Sequence, residues 1–437
     1  MERDLTSGSV FRNVIYFSLP YFLSYFLQTL YGMADLFIVG QFDGVASTTA
    51  VSIGSQVMHM LTVMIVGLAM GATVSIGQSI GAGDKKRASV ILFMGISLVL
   101  AVLLLFFVKP AVAVMSTPAE AVSGTAAYLT ICFLGIPFIT AYNVISSIFR
   151  GLGDSKSPMY FIAVACAVNI ILDYLFIGFF HLGASGAALG TTLSQACSVL
   201  FALIAIKRKQ TGLSLSGDCF RPQKKPLGKI LNIGIPVALQ DGFIQIAFII
   251  ITIIANRRGL NAAAAVGIVE KIISFLFLIP SSMLSTVSAL AAQNIGAGKY
   301  DRAKQTLRYA MMIAIGFGLV VSILIQFIAA PVVGLFTADA AVILLGAQYI
   351  RGYIWDCIFA GVHFSFSGYF CACGRSGISF LHNLIAILCV RIPGVYLTSK
   401  IFPHTLFPMG LATATGSLLS VIICIIAYRW LCEKSGK

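Results

Sequence analysis

The sequence predicts an all-α integral membrane protein with twelve transmembrane helices, arranged as two parallel six-helix repeats around a central cleft. Three observations predict it. The composition is apolar and poor in charge, apolar stretches of spanning length recur along the whole chain, and a series of short motifs returns after about half its length.

Hydrophobic residues make up 59% of the 437 residues and charged residues 10%. Soluble domains average roughly 25% charged residues, so most of this surface must face something other than water. A spanning helix needs about 20 apolar residues, and stretches such as 90–108 and 311–330 supply them. Spans are expected near 13–38, 47–76, 88–108, 122–148, 159–180, 185–206, 228–255, 262–292, 306–330, 341–370, 377–399 and 407–430. This leaves no room for a sizeable soluble domain.

The net charge of +14 is placed by topology. The amino end, every second loop and the carboxyl end, together with the span ends that adjoin them (Lys229, Arg308, Arg429), hold 22 of the 29 Lys and Arg residues. The opposite loops hold only Lys109, Arg257, Arg258 and Lys400, and three lie deeper within spans: Lys271, Arg351 and Arg391. Positive charge stays cytoplasmic during insertion, so both termini are expected in the cytoplasm of a multi-pass protein of the plasma (inner) membrane. The basic balance also favours anionic lipid, and it argues for the bilayer as partner rather than nucleic acid. No cleavable signal is expected, because residues 1–12 carry Glu2, Arg3 and Asp4 and the first apolar stretch is itself long enough to span. Ten Cys are scattered and read as small hydrophobes. Cys371 and Cys373 lack His or further Cys at ligand spacing, so no metal is expected there.

The repeat is collinear. Gln78-Ser79-Ile80-Gly81-Ala82-Gly83 returns as Gln293-Asn294-Ile295-Gly296-Ala297-Gly298, and Arg87-Ala88 returns as Arg302-Ala303. Ala50, Val51 and Ile53 match Ala265, Val266 and Ile268; Pro20 matches Pro236; Gly153 and Ser155 match Gly374 and Ser376. An even number of spans per half makes the copies parallel, related by an axis along the membrane normal. The expected division is an amino-terminal bundle over 1–206, a basic cytoplasmic linker over 207–227 and a carboxyl-terminal bundle over 228–437. Pro20 and Pro236 fall at matching places in the first and seventh spans and read either as static kinks or as hinges.

Acidic side chains inside a bilayer cost about 2.5–3.5 kcal/mol each on insertion scales, so each is a functional candidate. Asp35, Asp173, Asp241, Glu270 and Asp356 fall inside the expected spans. Asn169 and Asp173 are four apart and share a helix face. By depth, Asp35, Asp173 and Thr191 all lie in the outer half of the first bundle. A carboxylate, an amide oxygen and a hydroxyl suit a hard cation, and a buried carboxylate also takes a proton. The group therefore reads as an ion or proton site, or as a polar network tying spans one, five and six together. Asp241 and Asp356, with Gln240, Gln245 and Tyr353 near them, would line the cleft and attract cations; alternatively Arg351 neutralises Asp356. Glu270 and Lys271 are adjacent and need separate partners. Arg391, just before Pro393, would pair with one of these acids. Tyr31, one turn before Asp35, and Gln28 are further cleft candidates.

The pieces Ala34-Asp35-Leu36-Phe37-Ile38-Val39-Gly40, Ile80-Gly81-Ala82-Gly83 with Arg87, Arg150-Gly151-Leu152-Gly153-Asp154-Ser155-Lys156-Ser157-Pro158, Asn169-Ile170-Ile171-Leu172-Asp173 and Arg391-Ile392-Pro393 resemble the multidrug and toxic compound extrusion (MATE) family. The resemblance covers nearly the whole chain. It implies a V-shaped bundle of six plus six helices that exports organic compounds, often cationic and amphipathic, in exchange for Na+ or H+. It also implies a cation site at Asp35, Asn169, Asp173 and Thr191. One subfamily adds a Glu on the seventh span and an Asp on the tenth; here Ile244 stands about where that Glu belongs, and Asp356 falls roughly one turn early. The expected protein is a monomeric secondary antiporter working by alternating access, without cofactor and without enzymatic activity. A lipid-linked oligosaccharide flippase would need a cleft rich in Arg and Lys. An intramembrane aspartyl protease would put Asp154 of Gly151-Leu152-Gly153-Asp154 to catalytic use, and a channel would need a continuous pore.

Overall fold

In a bilayer every backbone polar group must be satisfied within the protein, and a helix does this segment by segment. The computed structural model describes residues 4–83, 103–115, 117–209 and 224–434, and helices joined by turns account for them with no strand among the described residues. Ten of these helices are long and apolar enough to cross a membrane: Val10–Phe42, Val45–Gly81, Ala119–Gly151, Lys156–Phe179, Gly183–Lys207, Gly228–Asn256, Leu260–Gly296, Tyr300–Gly334, Ser376–Ile401 and Phe407–Glu433. Most of the expected third span lies outside the described residues, as do Arg87 and Ala88 and the central part of the linker. The tenth span differs from expectation. It is not one helix but two, Ala340–Tyr353 and Asp356–Ala372, broken at Ile354 and Trp355. Across the break the amides of Cys357 and Ile358 donate to the carbonyls of Ile354 and Trp355, at 3.0 and 3.2 Å. A local three-residue turn therefore starts the second piece at Asp356.

The repeated motifs turn out to be helix ends. Gly83 and Gly298 both adopt positive φ, 77° and 71°, the left-handed conformation that glycine takes without a Cβ clash. In each copy the preceding Ala amide donates to the Gln carbonyl four residues back, Ala82 to Gln78 and Ala297 to Gln293, both at 3.0 Å. The second matched pair, Gly153 and Gly374, also has positive φ. There the amides of Asp154 and Arg375 reach back five residues to Phe149 and Phe370 at 2.8 Å, a glycine-terminated helix end. The next span then starts on a side-chain cap. Asp154 Oδ1 accepts from the amides of Lys156 and Ser157, and Asp154 Oδ2 accepts from Ser157 Oγ at 2.6 Å. Asp154 is thus a capping residue.

The chain divides into two compact units, 1–5 with 19–234 and 6–18 with 235–437. In the first unit the second span packs along the fourth, the fourth along the sixth, and the fifth along the sixth. In the second unit the same pairs recur between the eighth and tenth, the tenth and twelfth, and the eleventh and twelfth spans. The duplication visible in the motifs is therefore also a duplication of packing. In both units the fifth-position span contains a π-helical turn, Tyr174–Phe179 and Ile387–Arg391. The first and seventh helices each change unit just before a proline, at 18/19 ahead of Pro20 and at 234/235 ahead of Pro236, and both prolines lie inside unbroken helix. Within the second unit, Lys299 and Arg302 donate to the carbonyls of Thr6, Ser7 and Gly8 at 2.8–3.0 Å, fixing the segment that leads into the first helix.

Candidate ion-coupling site

In the first unit three spans bring four polar side chains together. Asp35 comes from the first span, Asn169 and Asp173 from the fifth, and Thr191 from the sixth. Asp35 is 3% exposed, and Asn169 and Asp173 are fully buried. Thr191 Oγ1 donates to Asp35 Oδ2 at 3.0 Å. Asp35 also neighbours Asp173 and Asn169.

Two local features let these groups meet. Asp173 ends the regular helix Lys156–Asp173 and the π-helical turn follows at once; such turns redirect a helix and recur at functional sites. Opposite it, the sixth span presents Gly190. A Cβ there would collide with Asp173 Oδ1 and lie 3.6 Å from Asn169 Nδ2. Glycine at 190 thus admits the Asp173 carboxylate against the helix, one residue before Thr191.

Beyond one another, the polar atoms of this cluster are mostly without protein partners. Asp35 Oδ1, both side-chain polar atoms of Asn169 and both carboxylate oxygens of Asp173 are buried with no hydrogen bond. Buried polar atoms are almost always paired, and an isolated buried charge costs far more than an unpaired dipole. Five such atoms converge here, all but the Asn169 amide nitrogen being oxygens. Among the described residues no cation forms an ion pair with either carboxylate. Two carboxylates so placed repel unless a cation or a proton offsets their charge. A monovalent cation would find oxygens from two carboxylates, one amide and one hydroxyl.

Two neighbours escaped the sequence reading. Gln195, one turn past Thr191 on the same face, is buried with Oε1 unpartnered and lies against Tyr31. The i, i+4 spacing from Thr191 is the signal that finds it. Tyr31 and Gln28 are half-buried. Tyr31 packs beside Tyr142, and Gln28 neighbours the same ring.

The second unit treats its interior charges differently. Asp356 is fully buried and Arg391 is 7% exposed; Asp356 Oδ2 accepts from Arg391 Nη2 at 2.6 Å. The same Nη2 donates to Ser417 Oγ at 2.9 Å. Arg351, the alternative partner for Asp356, instead donates to the Gln326 carbonyl at 3.1 Å, so Asp356 is neutralised by Arg391. Glu270 accepts from Thr252 Oγ1 at 3.2 Å, while Lys271 is exposed. Asp241 and Gln245 are half-buried, and Asp241 has no hydrogen-bond or ion-pair partner among the described residues. Gln240 is buried and accepts from Ser379 Oγ at 2.6 Å. Beside the ion pair lie a buried histidine and a small cavity of mixed lining that sequence reasoning missed. His382 meets Ser367 at 2.9 Å and Ser420 at 3.2 Å through its two ring nitrogens. A cavity of about 30 Å³, bordered by His363, Asn383, Arg391, Ser417 and Ser420, has room for a water molecule. The signal for it was two His inside spans, where ionisable residues are rare.

The comparisons with known proteins agree on one family. The sequence model of MatE matches residues 20–175 and 236–397, the two halves in turn. Over 434 residues the chain is 29% identical to "Probable multidrug resistance protein YpnP" of Bacillus subtilis (strain 168), covering 98% of this chain and 96% of that protein. It is 27% identical over 428 residues to "Multidrug export protein MepA" of Staphylococcus aureus (strain N315), covering 96% and 94%. The fold matches a MOP superfamily transporter from Pyrococcus furiosus Vc1 (DSM3638) with a TM-score of 0.93 at 23% identity, covering 99% of this chain and 98% of that one. It also matches an outward-facing multidrug resistance MATE family transporter with a TM-score of 0.91 at 23% identity, covering 98% and 97%. With both halves matched in order and relatives aligned end to end, the chain belongs to the MatE (MATE) family of transporters.

Proposed function

We propose that this protein is a secondary antiporter that exports organic, cationic and amphipathic compounds by exchange for Na+ or H+, with the coupling ion bound at Asp35, Asn169, Asp173 and Thr191. The observation that carries this reading is the pair of buried carboxylates in the first unit, with three unpartnered oxygens and no protein cation. Such a pair is stable in the bilayer only when a proton or a cation accompanies it. Loading and unloading that ion changes the charge of the first bundle, which gives the inward ion gradient a handle on its conformation. The gradient supplies about 2.3 kcal/mol per charge per 100 mV. The multidrug names of the relatives support organic compounds as cargo. The half-buried Asp241, Gln245, Gln28 and Tyr31 are proposed to meet that cargo, Asp356 is withdrawn from this role by Arg391, and Pro20 and Pro236 are proposed as the hinges. A monomer with both termini cytoplasmic is the working arrangement. The flippase reading is not favoured, because the interior Arg391 and Arg351 are already engaged by Asp356 and by a carbonyl. Asp154, the motif residue of the two-aspartate protease reading, is occupied in capping a helix.

The test is efflux of an ethidium-like cation from proteoliposomes, driven in one arm by a Na+ gradient alone and in the other by a pH gradient alone. Asp35→Asn should abolish transport in the arm that works for the wild type. Undiminished ion-driven efflux by a folded Asp35→Asn protein would refute the site.

A further inference from the structure

Each unit places a charged side chain on its fifth-position span, at one end of the π-helical turn and against a glycine of the next span, and the two charges are of opposite sign. In the first, Asp173 stands beside the π-helical turn of the fifth span and presses on Gly190 of the sixth. In the second, Arg391 ends the π-helical turn of the eleventh span and presses on Gly416 of the twelfth, where an added Cβ would come within 2.8 Å of Arg391 Cβ. In each unit the charge meets an acid and a hydroxyl from other spans. Asp173 neighbours Asp35, which holds Thr191. Arg391 holds Asp356 and Ser417. The first cluster is two acids short of a cation; the second has one acid and a cation supplied by the chain. Yet the second is not fully closed: Asp356 Oδ1 is buried without a partner, and a small cavity bordered by Arg391 and Ser417 lies alongside the pair.

We propose that Arg391 is a tethered cation filling a latent cation-binding site of the second bundle, made by the Asp356 carboxylate and the Ser417 hydroxyl. Its guanidinium does permanently what an exchangeable ion does in the first bundle, so the second bundle carries no ion of its own through the cycle. The proposal of exchange in the first bundle is the reading given above, and this inference rests on it only for the word "exchangeable". The latent site is a property of the second bundle alone. Removing the Arg391 side chain should leave a carboxylate-lined hole shaped for a planar monovalent cation of the guanidinium class.

The experiment uses the full-length protein in lipid nanodiscs with methylguanidinium as the probe, read by titration calorimetry and by thermal unfolding. The wild type should show no binding that depends on Asp356. Arg391→Ala should bind methylguanidinium and unfold at higher temperature in its presence, and Asp356→Asn added to that variant should abolish both effects. Efflux by Arg391→Ala should fall about tenfold or more, since an unpaired buried charge remains, and methylguanidinium should restore most of it. A folded Arg391→Ala protein that binds no methylguanidinium overturns the proposal. Should that variant not fold, the neutral pair Asp356→Asn with Arg391→Gln decides: ion-driven efflux with the wild-type ion requirement supports a tethered cation, and loss of ion coupling in the folded protein overturns it. Failure of the Asp35→Asn test leaves methylguanidinium binding untouched, so the two readings fail separately.

Discussion

Both bundles bury a charged cluster that includes a residue of the fifth-position span, and they balance its charge by different means. In the first, Asp35 and Asp173 lie together with oxygens unpartnered and no Lys or Arg within reach among the described residues. In the second, Asp356 has its own guanidinium at 2.6 Å. The packing scheme is shared: matching span pairs, matching glycine caps, and a π-helical turn at each fifth-position span. What differs is which residues fill the scaffold. A duplicated membrane fold thus tolerates an incomplete charge cluster on one side only if something mobile completes it, whereas the complete cluster needs nothing from outside.

This contrast is open to direct attack. The largest expected effect is on coupling. Asp173→Asn should eliminate ion-driven efflux in proteoliposomes as Asp35→Asn does, because either change leaves one carboxylate where two cooperate; retained coupling in Asp173→Asn would reduce the site to Asp35 alone. Next comes stability, where the two bundles should respond with opposite sign. Asp356→Ala strands a buried guanidinium and should cost about 3–5 kcal/mol, seen as a clear drop in the thermal unfolding midpoint in detergent. Asp35→Asn removes an uncompensated charge and should leave that midpoint unchanged or raised. Equal losses for both variants would erase the distinction between the bundles.

Smaller effects probe the supporting geometry. Gly190→Ala and Gly416→Ala should each cost about 1–3 kcal/mol by overpacking, but only Gly190→Ala should also weaken ion activation, since its methyl displaces the Asp173 carboxylate. Asp154→Ala should cost about 1 kcal/mol as a lost cap, with efflux per folded molecule unchanged. The smallest is Thr191→Val. Losing its bond to Asp35 should cost about 0.6 kcal/mol in a membrane interior, a shift of about threefold in the ion concentration giving half-maximal efflux.

Much of this organisation is legible in the residues. Spanning length, loop charge and the returning motifs predict twelve spans in two copies, because bilayer thickness and insertion rules act on local sequence. The pairing of Asn169 with Asp173 follows from helical spacing alone, and depth brings Asp35 and Thr191 to the same level. The choice of Arg391 over Arg351 for Asp356 was not legible, since it depends on how the eleventh span turns toward the tenth. Nor was the break at Ile354 and Trp355, since the nearby Gly352 is one of many glycines inside the spans and does not single out this point. Gln195 was missed because a polar residue at a helix contact looks, in sequence, like an ordinary interruption, and the His363–His382 contact because helical spacing does not say that two spans bring these rings together.

By itself the sequence determined the membrane class, the duplication and the list of interior charges. Those properties rest on transfer free energies and helical periodicity, which are set residue by residue. The tertiary structure decided which charges meet. Whether a buried acid faces another acid or an arginine depends on helix rotation, on a π-helical turn that shifts the facing side chains, and on a glycine that lets two spans touch. The first bundle is left with an incomplete cluster and the second with a closed ion pair because those three features act at Asp173 in one and at Arg391 in the other.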